Sequence, residues 1–133
     1  MPRNIITSIL VLLFVVLGSS CEKSGNSDGL VGTWRCSETY SGNSYRTYNV
    51  IIDQLSDKDS TMFVIYNMYN IGMDFETYAQ LSDSVFSIIS GSNPMYILGG
   101  TGKYTPSTQT IEWTYSISGG INDPVVIATY EKD

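Results

Sequence analysis

The sequence predicts an all-β domain: eight antiparallel strands in up-and-down order, closed into a β-barrel. Three observations lead there. Helical periodicity is hard to find after Gly29, whereas alternation of apolar and polar residues recurs. The alternating segments are short, eight in number, and parted by brief clusters of turn residues. A meander of about a hundred residues has one economical way to leave no edge exposed, which is to close on itself.

The segments follow in order at 32–40, 45–55, 61–69, 74–81, 84–90, 95–105, 110–118 and 124–132. The seventh is the clearest. In TIEWTYSIS, Ile111, Trp113, Tyr115 and Ile117 fall on one face, and Thr110, Glu112, Thr114 and Ser116 on the other. Ser41-Gly42-Asn43 parts the first two segments, and Ser56 to Ser60 the second and third. Asn70-Ile71-Gly72 and Ser82-Asp83 come next, then Gly91 to Pro94, Pro106 to Gln109, and Gly119 to Pro124. These residue types adopt turn dihedrals at low cost or fix them. Connections this short make successive strands antiparallel neighbours. Gly99, Gly100 and Gly102 lie inside the sixth segment, YILGGTGKYT, where glycine is expected to mark a bulge or sharp bend. GGTG is not read as a phosphate loop, because no helix and no suitably placed lysine follow it.

Gly32-Thr33-Trp34 opens the first segment and matches the G-x-W signature of lipocalins. With the strand count, it makes residues 30–133 resemble a lipocalin-like, calycin-type small β-barrel of a bacterial lipoprotein. The resemblance implies that Trp34 closes one end of the barrel. The family places an Arg near the last strand, packed over this Trp; here that strand reads VVIATYEKD and offers Lys132.

Ahead of the domain stands MPRNIITSILVLLFVVLGSSC. Arg3 gives a positive start, Ile5 to Leu17 an apolar core, and Gly18 to Ser20 a small-residue end. That is the layout of a secretory signal, and it is shorter than the ~20 apolar residues of a membrane span. Leu17-Gly18-Ser19-Ser20-Cys21 resembles a lipobox. The resemblance implies a signal peptide over 1–20, lipid attachment at Cys21, and a place in the bacterial cell envelope, at the outer membrane or cell surface. Residues 21–29 are polar and glycine-containing, a flexible tether of about 30 Å when extended. The other reading pairs Cys21 with Cys36 in a disulfide. With Cys21 acylated, Cys36 is left as a lone thiol, read as a small buried residue.

Without the leader the chain carries 6 basic and 13 acidic residues. That balance argues against nucleic acid and against a basic patch on anionic lipid, so membrane contact is expected through the lipid anchor only. Histidine is absent. This removes Ser–His–Asp and Cys–His catalysis and the commonest metal ligand. Asp57 and Asp59 share a turn, but they supply too few oxygens for calcium. Glu38, Glu76 and Glu112 lie on strands, with nothing in the sequence to pair them across a glycosidase cleft. No catalytic residue, metal or cofactor is expected.

Aromatic residues are the better lead, with ten tyrosines, two tryptophans and four phenylalanines. An eight-stranded barrel is either filled by side chains or holds one small ligand. Trp34, Phe63, Ile65, Phe86, Trp113 and Tyr115 are the candidates to line that interior, as core or as walls of a site for a small hydrophobic or amphipathic ligand. Tyr45, Tyr69 and Tyr96 fall near strand ends and are candidates for the outer face. There they would meet a glycan or a protein partner, in which case the barrel is filled.

Overall fold

Alternation along each segment commits one face to the interior and one to water. The computed structural model describes residues 29–133. The expected leader, Cys21 and the tether up to residue 28 lie outside the described residues. Eight strands form: β1 (Gly32–Tyr40), β2 (Ser44–Ser56), β3 (Asp59–Tyr66), β4 (Glu76–Ser82), β5 (Val85–Gly91), β6 (Tyr96–Thr105), β7 (Thr110–Gly119) and β8 (Asp123–Lys132). Each pairs antiparallel with the next, and β8 pairs back onto β1, from Trp34 opposite Lys132 to Thr39 opposite Ile127. The barrel is closed.

Two expectations need correction. The third strand ends at Tyr66, short of residue 69, and the fourth begins at Glu76. Asn67, Tyr69 and Asn70 adopt positive φ of 73°, 58° and 57°, which ends the extended run. A short 3-10 turn over Met68–Asn70 follows, and the chain crosses that end of the barrel before β4 starts. The second concerns the glycines of β6, which mark no bulge against β7, although the β5–β6 pairing ends at Thr101, beside Gly100 with its φ of 147°. The β6–β7 ladder runs without a register shift from Tyr96 opposite Gly119 to Thr105 opposite Thr110. Register shifts occur instead between β2 and β3, β4 and β5, and β7 and β8. Gly102 has a packing role. A Cβ there would lie 2.6 Å from the Trp113 ring, so only glycine lets that ring lie against the wall.

Aromatic side chains occupy the middle of the barrel. Phe63 and Phe86 meet edge to face at 5.6 Å between ring centres. Phe86 stacks on Trp113 at 5.6 Å, and Trp113 leans on Tyr130 at 5.7 Å. This column crosses the lumen from β3 through β5 and β7 to β8. All four side chains are essentially buried.

Both described chain ends lie at one end of the barrel. There Trp34 donates its ring N–H to the Leu30 carbonyl at 2.8 Å. The Lys132 ammonium sits 5.0 Å from the Trp34 ring centre and donates to the carbonyls of Val31 and Gly29. Lys132 thus lies over the Trp34 ring and ties the last strand to the chain ahead of β1. Partial burial lowers its pKa. The Asp133 N–H closes the same end on the Thr33 carbonyl at 3.1 Å. At the opposite end lie the turns 41–43, 67–75, 92–95 and 120–122.

Candidate functional site

Trp34, Phe63, Ile65, Phe86, Trp113 and Tyr115 all point inward and are buried. Trp34 closes the end where the chain termini meet. Phe63, Phe86 and Trp113 form the central column, with Ile65 on the same face of β3 as Phe63. Tyr115 belongs to a polar cluster nearer the opposite end.

That cluster is centred on Glu38, which is 0 % exposed. Glu38 shares the inward face of β1 with Trp34 and Cys36. Its Oε1 accepts from the Tyr48 hydroxyl at 2.8 Å and from the Tyr115 hydroxyl. Its Oε2 accepts from Arg46, with Nε at 2.8 Å and Nη2 at 2.7 Å. Arg46 also donates to the Tyr69 carbonyl at 2.9 Å. Its guanidinium lies 3.8 Å from the Tyr40 ring centre and 4.3 Å from that of Tyr69. Burial works against the Arg46 charge, but the hydrogen bond and charge of Glu38 win and raise its pKa. Burial pushes Tyr48 and Tyr115 up as well, with neighbouring phenols and Glu38 adding to it. It also pushes the Cys36 thiol up to about 12 against the pull of Tyr48, so Cys36 is an inert core thiol.

Three residues, Arg46, Tyr48 and Tyr115, donate to this one carboxylate. The cluster acts as a clasp that joins β1, β2 and β7 and pins the 67–70 turn. Deeper in the barrel, Trp113 Nε1, Tyr130 Oη and Thr77 Oγ1 are buried with no hydrogen-bond partner among the described residues.

The three outer-face tyrosines separate. Tyr45 is 67 % exposed on β2. Tyr96 is half-buried, edge-on to Phe75 at 5.7 Å. Tyr69, expected on the surface, is buried. Its left-handed backbone turns the ring inward, where it meets Tyr40 and Tyr115 edge to face. Its hydroxyl donates to Asp123 Oδ2 at 2.8 Å. The Ser41 N–H donates to the same oxygen at 2.7 Å.

Outside, one wall is distinct. On β5–β8, segments 86–102, 113–122 and 124–130 carry no charged residue. Ile89, Ile97, Val125 and Ile127 stand out from this wall at 56, 65, 58 and 56 % exposure. Hydroxyl side chains fill in between: Thr101, Thr114 and Ile127 form one cross-strand row, and Ile97 lies opposite Ser118. At the far end of the wall is a shallow concavity of about 500 Å³, lined by Ser116, Ile117, Ser118, Asn122, Asp123 and Pro124.

A solved structure of a redesigned β-barrel is similar to this chain. The TM-score is 0.56 at 12 % identity, over 80 % of this chain and 93 % of the other. The likeness is one of fold. No protein-family model matches the chain. No curated protein matches it.

The sequence reading missed Glu38, Arg46 and Asp123 as members of one network. A signal existed for the first two. Glu38 has the parity of Trp34, and the turn at 41–43 sets Glu38 directly opposite Arg46. Nothing local marked Asp123, whose partner Tyr69 is 54 residues away and reaches it through a left-handed turn. Among the described residues no group of three His, Cys, Asp or Glu side chains is placed to hold a metal.

Proposed function

We propose that this chain is a non-catalytic, lipid-anchored lipoprotein of the bacterial cell envelope. It docks a surface partner, glycan or protein, on the outside of a filled barrel. The observation that carries this reading is the aromatic column Phe63–Phe86–Trp113–Tyr130, which occupies the space a lumen ligand would take. The outer face of β5–β8 supports it, since segments 86–102, 113–122 and 124–130 carry no charge and expose Ile89, Ile97, Val125 and Ile127, and exposed apolar side chains on an acidic domain suit an interaction surface. Tyr45 adds an exposed aromatic elsewhere on the barrel. The leader and Cys21 support the anchoring, and the G-x-W signature with Lys132 over Trp34 supports a lipocalin-like lineage.

A second reading keeps a small hydrophobic or amphipathic ligand inside the barrel. Trp113 Nε1, Tyr130 Oη and Thr77 Oγ1 favour it, because buried polar atoms call for partners. Native mass spectrometry of the full chain, purified from cells without refolding, separates the two. The docking reading expects the mature mass beginning at Cys21 plus its acyl groups and nothing else. A retained small molecule would sink it in favour of the lumen, and a mature mass lacking acyl groups would remove the anchor.

A further inference from the structure

We propose that the barrel has a side entrance. The halves of β5 and β6 nearest their connecting turn part as a slit, while the rest of the wall stays closed. β5 and β6 pair only at Val85–Lys103, Phe86–Gly102 and Ser87–Thr101. Every other pair of neighbouring strands is joined at five residues or more. Both strands run on beyond this short ladder, β5 up to Gly91 and β6 from Tyr96. Along that stretch no cross-strand pairing joins them, and a seam without its ladder is where a sheet opens at least cost.

Each lip is held from behind instead. On β5, Ser90 pairs with Tyr78 and Gly91 with Thr77, and the Ser92 N–H donates to the Glu76 carbonyl at 2.8 Å. Ile88 pairs with Ala79, so Ile89 is left over as a bulge. On β6, Tyr96 to Gly100 pair in unbroken register with Gly119 to Tyr115 of β7. Gly100, at φ 147°, lies so tightly on β7 that a Cβ there would come within 2.5 Å of the Tyr115 Cα. A bulge on one lip and a kink on the other thus break the ladder, and parting the lips costs neither its outer partner. The turn 92–95 spans the end of the slit. At full stretch it lets Gly91 and Tyr96 draw apart to about 17 Å. Behind the slit stand Leu98, which is 6 % exposed, and Phe75, edge-on to Tyr96. A Cβ on Gly91 would lie 3.2 Å from the same Phe75 ring. Thr77, opposite Gly91, is fully buried, and its hydroxyl has no hydrogen-bond partner among the described residues. A solute with a polar group recovers the free energy that an unpartnered hydroxyl forfeits. Segment 86–102 holds no charge to pair with an ion, so the entrance suits small uncharged molecules. It gives the lumen reading a way in, and the docking reading does not depend on it.

The test measures thiol access in the full chain with methyl methanethiosulfonate, a small uncharged reagent, following each cysteine by peptide mass. Thr77→Cys puts a reporter behind the slit and gives up no hydrogen bond among the described residues. Val126→Cys puts one on the inward face of β8, buried and away from the seam. Cys36, buried on β1, is the reference already present. The expected result is labelling at position 77 at least about tenfold faster than at 126 or 36, the mark of local opening. Its rate should depend little on urea below the unfolding transition, because a slit exposes little surface. Equal rates at 77 and 126 would show the whole end opening and overturn the slit. Labelling of 77 only through global unfolding would overturn it too. Hydrogen exchange of the unmodified chain tests the same point without a substitution. Amides within 88–91 and 97–100 should exchange through local opening, ahead of those in β1 and β2, and equal protection in all of them would overturn the proposal. A fixed wall at this seam would leave the docking reading standing.

Discussion

Glu38 shows how one residue can organise an end of a barrel. A bare carboxylate at that depth would be untenable, and it is stable because Arg46, Tyr48 and Tyr115 all donate to it. Glu38→Ala strands a guanidinium and two phenols, with an expected loss of about 3–5 kcal/mol, the cost of breaking a buried pair. Glu38→Gln keeps an acceptor for the phenols and should lose less; urea unfolding of the two variants checks the order. The phenols carry a pH signature. Burial, followed by the hydrogen bond to Asp123, raises Tyr69 from 10.0 to about 12, and burial raises Tyr48, Tyr115 and Tyr130 too. The unfolded chain gives up these protons first. Stability from the neutral phenols is therefore intact below pH 10 and drains away as pH rises from about 10 through 12. Melting temperature against pH, read beside tyrosinate absorbance, should show these phenols ionising only as the barrel opens. A buried phenol titrating at its ordinary value in the folded state would contradict this. At this scale the sequence was half legible. Parity placed Trp34, Phe63 and Trp113 inward correctly, but treating Glu38 as an isolated strand carboxylate overlooked that parity applies to charged residues too.

Among the elements, β6 and the 67–75 connection carry the lessons. Strand existence and order follow from alternation and turn residues, and the strands lie close to their expected spans. What alternation does not encode is the backbone after Tyr66. Asparagine at 67 and 70 tolerates the left-handed region, but Tyr69 enters it only because tertiary contacts hold it there: Asp123 on its hydroxyl and Arg46 on its carbonyl. Local sequence cannot report contacts made that far along the chain. Gly102 of β6 was legible as unusual and illegible in purpose, because its reason is a ring on the adjacent strand. Gly102→Ala would press a methyl into Trp113. The expected loss is about 1–3 kcal/mol, as for overpacked cores. Near-ultraviolet circular dichroism should show a displaced tryptophan, and an unchanged melting curve and spectrum would refute that packing role.

For the molecule as a whole, the barrel was the most legible feature, since eight short alternating segments with tight turns leave few other arrangements. Whether its centre is filled was not legible. The same inward Phe and Trp residues serve a core or a pocket, and only their mutual distances decide that each ring touches the next. The outer wall was hidden for a related reason. Its four exposed aliphatics come from β5, β6 and β8 and come to one side of the barrel only when the sheet forms.

The even number of strands also gives the molecule a polarity. Gly29 and Asp133 emerge at the Trp34 end, and the β7–β8 hairpin with its concavity lies at the other. A protein moored by its N-terminal segment would carry its C-terminus back toward the mooring and hold the hairpin outermost. A reporter fused after Asp133 would then report from beside the anchor, while one spliced into the exposed Ser41–Asn43 turn would ride at the tip.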